Sequence, residues 1–405
     1  MPRDRVRALL RTLAPTVAFG IALALGVGVG YELAGRGARE RIATHARVTT
    51  LGDHVEKLDP AAFAAAYHDP AAALAELHDY AWVVPQVPTP GVGSAPAPGR
   101  HANATINAQQ FRHPVAVEVP KPAGRLRIFL TGGSTAFGTG APSDDRTISA
   151  YLERALRERL GDVEVVNAAN SAWASSHERA WIVDRLADLE PDLIVSLSGN
   201  NDAHWGVQGR NVLFMRTYAE EHWFDLLSHV YQRADQSLPD PVPPPGDRVA
   251  PERVARRLAR NVGIVADFLA ERDVPYLFAL QPTLAVSGKR LSKKESWQRR
   301  LIDQRFGAGA ADYFVASYVA MRESLAGVRA AGFRVADLSD VFDHDGEREV
   351  FLDSYHFGDL GNERIAARLA VEVAAALEAN RASPISPPRP GRPSARATGR
   401  RSAAP

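Results

Sequence analysis

The strongest constraint on the fold is a set of five short, continuously apolar runs that alternate with helical patterns. Four of the five runs end directly in polar or glycine-rich segments. Uninterrupted apolar runs of this length are typical of strands that are buried on both faces, as in parallel sheets. The runs lie at 126–130, 163–166, 193–197, 276–280 and 333–338.

Helical periodicity fills the stretches between these runs. In 147–160 the apolar residues recur on one stripe, and Gly161 follows as a C-cap. Similar patterns lie at about 176–189, 251–272, 308–331 and 361–379. The alternation favours an α/β fold with a doubly wound, mostly parallel five-stranded sheet and helices on both faces, as in flavodoxin-like three-layer sandwiches. Residues 205–250 and 283–307 look like insertions into this framework.

The N-terminal residues carry a second strong pattern. Residues 13–31 contain no charge, and at 1.5 Å per residue a helix of this length spans about 28 Å, close to the hydrocarbon core of a bilayer. Arginines precede the segment, so we expect a transmembrane signal anchor with the N-terminus cytoplasmic and the remainder periplasmic or extracellular. Two alternatives stay open: a cleaved signal peptide, with Glu32-Leu33-Ala34 as the cleavage region, and a buried core helix.

Composition divides the rest of the chain. Residues 1–35 are the basic end and the anchor, and 36–106 are an Ala-rich helical stalk followed by a Pro/Gly linker at 84–100. We expect residues 107–381 to form the main folded domain and 382–405 to be a disordered basic tail. The two ends carry net charges of +3 (1–11) and +5 (382–405), which leaves −7 for 12–381. An acidic body argues against nucleic acid as a partner.

Three polar segments at strand ends carry the candidate chemistry, because function collects at the carboxyl ends of the strands in such sheets. The first is Gly132-Gly133-Ser134-Thr135, in which a serine stands between a strand and a helix. The second is Gly199-Asn200-Asn201-Asp202, where an asparagine amide can donate to an oxyanion. The third is Asp353-Ser354-Tyr355-His356, where a carboxylate can orient an imidazole that faces a nucleophile.

Other kinds of site are disfavoured. Thr139 stands where a phosphate-binding P-loop needs its lysine, and no G-x-G-x-x-G dinucleotide pattern is present. The absence of cysteine excludes disulfides and thiolate metal sites. A calcium loop around Gly346 would place Val341 and Leu352 at ligand positions, so it fails as well. We therefore expect no metal and no cofactor.

In this order along the chain, the three segments resemble the SGNH (GDSL-like) hydrolases over roughly 107–380. The family's Gly-x-Asn-Asp block matches Gly199 to Asp202, and its Asp-x-x-His block matches Asp353 to His356. Gly133 stands where many members have Asp. A second block departs from the pattern, because Ala172 replaces the glycine of Asn-x-Gly-x-Ser-Gly.

The resemblance implies a serine esterase acting on acyl or acetyl esters, either small molecules or an envelope glycan. Ser134 would be the nucleophile, His356 the base and Asp353 the group that orients it. The N–H groups of Ser134 and Ala172 and the side chain of Asn201 would form the oxyanion hole. Ala172 keeps its N–H, and it is strained, by roughly 1 kcal/mol, only where φ is positive.

Further side chains and functions are open at this point. Trp173 and Trp205 follow two of the catalytic blocks and are candidates for an apolar or sugar-stacking wall, and Gln281 is a candidate substrate contact; buried packing is an equal alternative for the tryptophans. The alternative activities are O-acetyl transfer to an envelope glycan by the same triad, and a non-catalytic binding module.

Overall fold

The centre of the protein is a five-stranded parallel sheet. The computed structural model describes residues 48–55, 59–210 and 216–382, together with residues 21 and 25. Every neighbouring pair of strands is parallel, in the order β2-β1-β3-β4-β5, so the predicted sheet is confirmed. The strands are β1 (Leu126–Gly132), β2 (Val163–Asn167), β3 (Leu193–Ser198), β4 (Tyr276–Leu280) and β5 (Arg334–Asp337).

Twelve helices are described in these ranges, and the longer ones cover the sheet. In chain order, α1 to α12 are Leu51–Val55, Pro60–Ala64, Pro70–Glu76, Ser134–Phe137, Ile148–Leu160, Ser175–Asp184, Asn200–Val207, Tyr218–Arg233, Pro251–Ala270, Lys293–Phe306, Ala310–Ala330 and Asp359–Ala382. Single 3₁₀ turns lie at Leu77–Asp79, Asp144–Arg146 and Leu186–Asp188. The two predicted insertions contain α8 and α10.

Successive side chains along each strand point to opposite faces of the sheet and so contribute to two separate cores. Ile128 and Leu130 pack with α5 and α12 on one face, whereas Phe129 packs with α6, α7, α9 and α11 on the other. All three side chains are fully buried. Because successive strand residues point to opposite faces, one apolar run serves both cores. This produces the expected three-layer sandwich, with the carboxyl ends of the strands along one edge.

The segment before the sheet differs from the prediction. Residues 59–106 are not a stalk and linker but fold against the catalytic domain. Tyr67 donates a hydrogen bond to the carbonyl of Gly140 (2.7 Å), and the N–H of His68 donates to Asp359 (2.8 Å). Leu352 of the domain is buried in a small core with apolar side chains of α1–α3. The prediction failed because Pro and Gly at 84–100 form hairpins here: Gln86–Thr89 pairs with Gly93–Pro96, and Gly99–His101 with Ala104–Ile106.

A further two-stranded ladder joins Thr49–Thr50 to Ala81–Val83. The proposed anchor at 13–31 and the basic tail from 383 onward fall outside the described residues, apart from positions 21 and 25. Within the described ranges, none of the helices combines the length and the apolar composition needed to cross a bilayer.

Candidate active site

The first candidate motif lies at the carboxyl end of β1, at the point where the chain turns into α4. Ser134 is the first residue of α4, and its side chain is partly exposed. A Cβ on Gly133 would lie 2.3 Å from the amide nitrogen of Asn201. A side chain at position 133 would therefore displace Asn201.

Three side chains from opposite ends of the domain form a continuous hydrogen-bonded row. The hydroxyl of Ser134 lies 2.7 Å from Nε2 of His356, and Nδ1 of His356 lies 2.8 Å from Oδ2 of Asp353. The other carboxylate oxygen of Asp353 accepts from the N–H groups of Tyr355 and His356, both at 2.8 Å. The predicted serine, histidine and aspartate are thus brought together in one cleft.

The charge of Asp353 fixes the proton positions in this row. Burial disfavours the carboxylate, but the charge of His356 and its hydrogen bond outweigh burial and hold the pKa of Asp353 below its usual value. An ionised carboxylate only accepts hydrogen bonds, so Nδ1 of His356 carries the proton. When the imidazole is neutral, Nε2 is an acceptor and the hydroxyl of Ser134 donates to it.

The loop that carries His356 is held from several sides. Thr135, next to the nucleophile, donates to the carbonyl of Tyr355 (2.7 Å). The carbonyl of Ser354 accepts from the N–H of Leu284 (2.8 Å) and from the hydroxyl of Thr283 (2.9 Å), which follow β4. These bonds fix the distance between α4 and the loop, so the Ser134–His356 contact is preorganised.

The predicted oxyanion donors lie beside the nucleophile. Asn201 donates one amide hydrogen to the carbonyl of Trp173 (2.7 Å), which leaves its second hydrogen for another acceptor. Within the described part of the chain, the backbone N–H groups of Ser134 and Ala172 donate to no other group. Three donors are therefore available on this side of the cleft.

Ala172 has the strained backbone that a glycine would relieve. Its φ is +66°, in the left-handed region that L-residues other than glycine, asparagine and aspartate rarely adopt. Its carbonyl accepts from the indole N–H of Trp205 (3.1 Å). The alanine is therefore strained, as expected for a positive φ, and the surrounding structure holds its backbone in place.

The three predicted substrate contacts are wrong. Trp173, Trp205 and Gln281 have exposed fractions of 1%, 4% and 3%, so none forms a wall that is open to substrate. Both indoles belong to the core on the α6 side, and the N–H of Trp173 donates to Ser94 (3.1 Å). The amide of Gln281 donates to Thr135 (3.3 Å). The three side chains pack beneath the site, because they point toward the core and not into the cleft.

The aromatic surface at the site comes instead from residues that the sequence did not indicate. Trp82 lies edge-on to His356, with 4.8 Å between the ring centroids, and His54 stacks on Trp82 at 4.1 Å. On the other side, His204 lies 5.8 Å from the ring of Tyr355, and burial lowers the pKa of His204 to about 3, so this imidazole is neutral. The continuous apolar run from Tyr80 to Val84 was the available strand signal.

Among the residues that the structure describes, no three His, Asp or Glu side chains are placed to hold a metal ion together. The donors around Ser134 are neutral N–H groups and one imidazole, a set suited to an anionic oxygen rather than to a cation.

Residues 130–364 match the GDSL-like Lipase/Acylhydrolase family, a span that includes Ser134, Asn201, Asp353 and His356. No curated protein matches the chain. Among solved structures, it is similar to a lipase/acylhydrolase from Enterococcus faecalis, with 16% identity, TM-score 0.37, and coverage of 62% of this chain and 96% of that one.

Two further solved structures are similar at the same level. One is an α/β hydrolase enzyme from the metagenome of Lake Arreo, Spain (15% identity, TM-score 0.34, 62% of this chain and 95% of that one). The other is an acetyl xylan esterase (12% identity, TM-score 0.34, 62% and 99%). The family model covers more than half of the sequence and is the basis of the assignment. The chain belongs to the GDSL-like lipase/acylhydrolase family and is a hydrolase that acts on ester bonds.

Proposed function

We propose that the protein is a serine esterase in which Ser134, His356 and Asp353 act as a catalytic triad on acyl or acetyl esters. The observation that carries the proposal is the unbroken row from Ser134 through His356 to Asp353, with contacts of 2.7 and 2.8 Å. Nucleophile, base and orienting carboxylate in hydrogen-bond contact are the geometric signature of activated serine hydrolases.

The acylation step follows from the proton positions. As Oγ of Ser134 bonds to the ester carbonyl carbon, its proton passes to Nε2 of His356, and the carbonyl oxygen becomes an anion. Asp353 stabilises the resulting imidazolium. Collapse of the tetrahedral intermediate breaks the bond to the alcohol oxygen, which takes the proton from Nε2 and leaves.

Deacylation repeats the sequence with water. His356 takes a proton from water as the water oxygen attacks the acyl carbon, and then returns that proton to Oγ of Ser134 as the carboxylic acid departs. Ser134 is partly exposed, which supports access of water to an acyl-enzyme. A sugar hydroxyl in place of water would give acyl transfer, and release of free acid without an acylated sugar product separates hydrolysis from transfer.

The oxyanion is assigned to the N–H groups of Ser134 and Ala172 and to the amide of Asn201. The free donors on this side of the cleft support the assignment. A preorganised donor of this kind contributes about 10²–10³ in rate.

The test is Ser134→Ala with p-nitrophenyl acetate. We expect kcat to fall by about 10⁴-fold or more, because the nucleophile is lost, with no change in the unfolding midpoint. A fluorophosphonate should label wild type at Ser134, located by mass mapping, and should leave the variant unlabelled. A second variant, Asp353→Asn, keeps an acceptor for the loop N–H groups but loses the negative charge. We expect it to lower kcat by roughly 10⁴-fold. Equal rates for wild type and Ser134→Ala would exclude the triad.

We further propose that 13–31 anchors the enzyme with its catalytic domain outside the cytoplasmic membrane. The uncharged stretch behind four arginines supports this location. The full-length protein should stay with membranes through an alkaline wash, and its recovery in the wash would contradict the anchor.

A further inference from the structure

The active-site cleft is completed by a segment that lies outside the family region. The family match begins at residue 130, yet Trp82 reaches the imidazole of His356 from the N-terminal segment, with ring centroids 4.8 Å apart and planes at 69°. An edge contact of this kind is a favourable aromatic geometry. Trp82 therefore sits directly beside the reacting groups, although no residue of the triad is near it in sequence.

Backbone hydrogen bonds hold Trp82 in this position. The carbonyl of Ala81 accepts from the N–H of Gly140 (2.8 Å), in the turn that follows α4. Asn103 clamps the same strand: it accepts from the N–H of Ala81 (2.8 Å) and donates to the carbonyl of Ala141 (2.6 Å). The indole covers Gly140 so closely that a Cβ there would lie 3.3 Å from its ring. The position of Trp82 relative to Ser134 is consequently fixed.

Part of Trp82 remains exposed beside these contacts. His54 stacks on the indole at 4.1 Å with planes at 17°, and burial lowers the pKa of His54, so its imidazole is neutral at pH 7. Trp82 itself is partly exposed, and its N–H forms no hydrogen bond within the residues that the structure describes. A rigid aromatic surface with one unused donor suits a ring that has an apolar face and acceptor oxygens at its edge.

We propose that Trp82, supported by His54, is a specificity-determining residue that binds the ring of a cyclic, oxygen-bearing alcohol portion of the ester, such as an acetylated sugar. This rests on the proposed esterase function. The position beside His356 favours the alcohol side, because His356 returns its proton to the alcohol oxygen as that group leaves.

A purely structural role for Trp82 makes a different prediction. If Trp82 only packs against His356, its removal lowers kcat equally for every ester, because the same imidazole serves them all. If it binds the alcohol ring, its removal raises KM for ring-bearing esters much more than KM for small esters. Substrates that share one acyl group and differ in the alcohol therefore separate the two roles.

The experiment compares ethyl acetate with glucose pentaacetate for wild type, Trp82→Ala and Trp82→Phe, with Trp223→Phe in α8 as the matched control. We expect Trp82→Ala to raise KM for the sugar ester about tenfold more than KM for ethyl acetate, while any change in kcat is shared by the two esters. Trp82→Phe keeps a ring but loses the N–H donor, and should raise KM for the sugar ester about threefold. The control should match wild type with both esters.

An equal loss with both esters, or no change with either, overturns the assignment of Trp82. Trp82→Phe preserves the packing, so it decides the matter if Trp82→Ala does not fold. Failure of this inference is distinguishable from failure of the proposed function: in the first case wild type hydrolyses ethyl acetate and is labelled at Ser134 by a fluorophosphonate. A wild type that does neither rejects the esterase function and this role of Trp82 together.

Discussion

At the residue scale, Ala172 shows how a departure from a family pattern can be nearly neutral in energy. Its left-handed backbone, with φ at +66°, costs about 1–2 kcal/mol relative to glycine. A glycine at this position would lower the free energy of unfolding by about 0.5–1 kcal/mol, because it gives the unfolded chain greater conformational freedom. Its missing buried methyl group would cost about 0.8 kcal/mol more. These terms offset one another, so the alanine need not weaken the fold.

The substitution Ala172→Gly should therefore change little. We expect the free energy of unfolding to stay within about 1 kcal/mol of wild type, because strain relief and the two losses cancel. We expect kcat/KM to stay within about threefold, since the backbone N–H is present in both proteins. Urea unfolding and steady-state kinetics measure the two quantities. A tenfold gain in kcat/KM would show instead that the alanine misplaces this N–H.

At the scale of single elements, α6 carries a carboxyl group into the interior beneath the site. Glu178 accepts a hydrogen bond from Thr131 of β1 (3.0 Å). Burial raises the pKa of Glu178 to about 7, and a hydrogen bond from Ser198 opposes this rise only in part. The same helix is joined to α7, because Asp202 accepts from the hydroxyl (2.6 Å) and the N–H (3.1 Å) of Ser175. Buried polar groups thus fix α6, the helix that follows Ala172. One of these groups, Glu178, has a pKa near neutrality.

Glu178 makes the stability of α6 depend on pH. Its folded pKa of about 7 exceeds the unfolded value of roughly 4.3, so between these values the folded state binds more protons, and stability falls as pH rises. Glu178→Gln removes this titration. We expect the variant to gain about 1–3 kcal/mol on wild type between pH 5 and pH 8.

Urea unfolding of both proteins at pH 5 and pH 8 measures this gain. Asp202 is present in both proteins, so the comparison isolates Glu178. A difference between the two proteins that is the same at both pH values would show that Glu178 does not titrate in this range.

The elements were largely predictable, and the reason is local. All five strands were located to within two residues at each end, because a strand buried on both faces leaves an uninterrupted apolar run in the sequence. Ser134 was predictable for the same reason, because it directly follows β1, whereas Asp353 and His356 were recognised by their spacing in the loop before α12. The orientation of Trp173 and Trp205 was not predictable: proximity to a motif along the chain does not determine whether a side chain faces the cleft or the core.

At the scale of the whole molecule, the N-terminal segment and the catalytic domain share one structure. Composition suggested a linker at 84–100, because Pro and Gly are common in flexible connections. Whether such residues form hairpins depends on partners far away in the sequence, such as Asn170, which donates to Gln86 (2.9 Å), and Trp173, which donates to the carbonyl of Ser94 (3.1 Å). Trp82 was missed for this reason.

Removing the segment should therefore destabilise the domain. We expect a fragment of 107–382 to unfold roughly 5 °C below a fragment of 48–382, because Leu352 and its neighbours become exposed, at about 3 kcal/mol. Thermal unfolding followed by circular dichroism measures the difference, with the full chain as reference. Equal midpoints would show that 48–106 contributes no stability.

The hydrogen bond between His68 and Asp359 joins positions that are 291 residues apart. During synthesis, the segment before the sheet is made early, whereas Asp359, the partner of His68, is made only after nearly all of the domain. Contacts with such wide separation form slowly, because a long loop must close before they contribute. The surroundings of Ser134 are therefore completed late, because His356 and α12 are synthesised after the whole sheet.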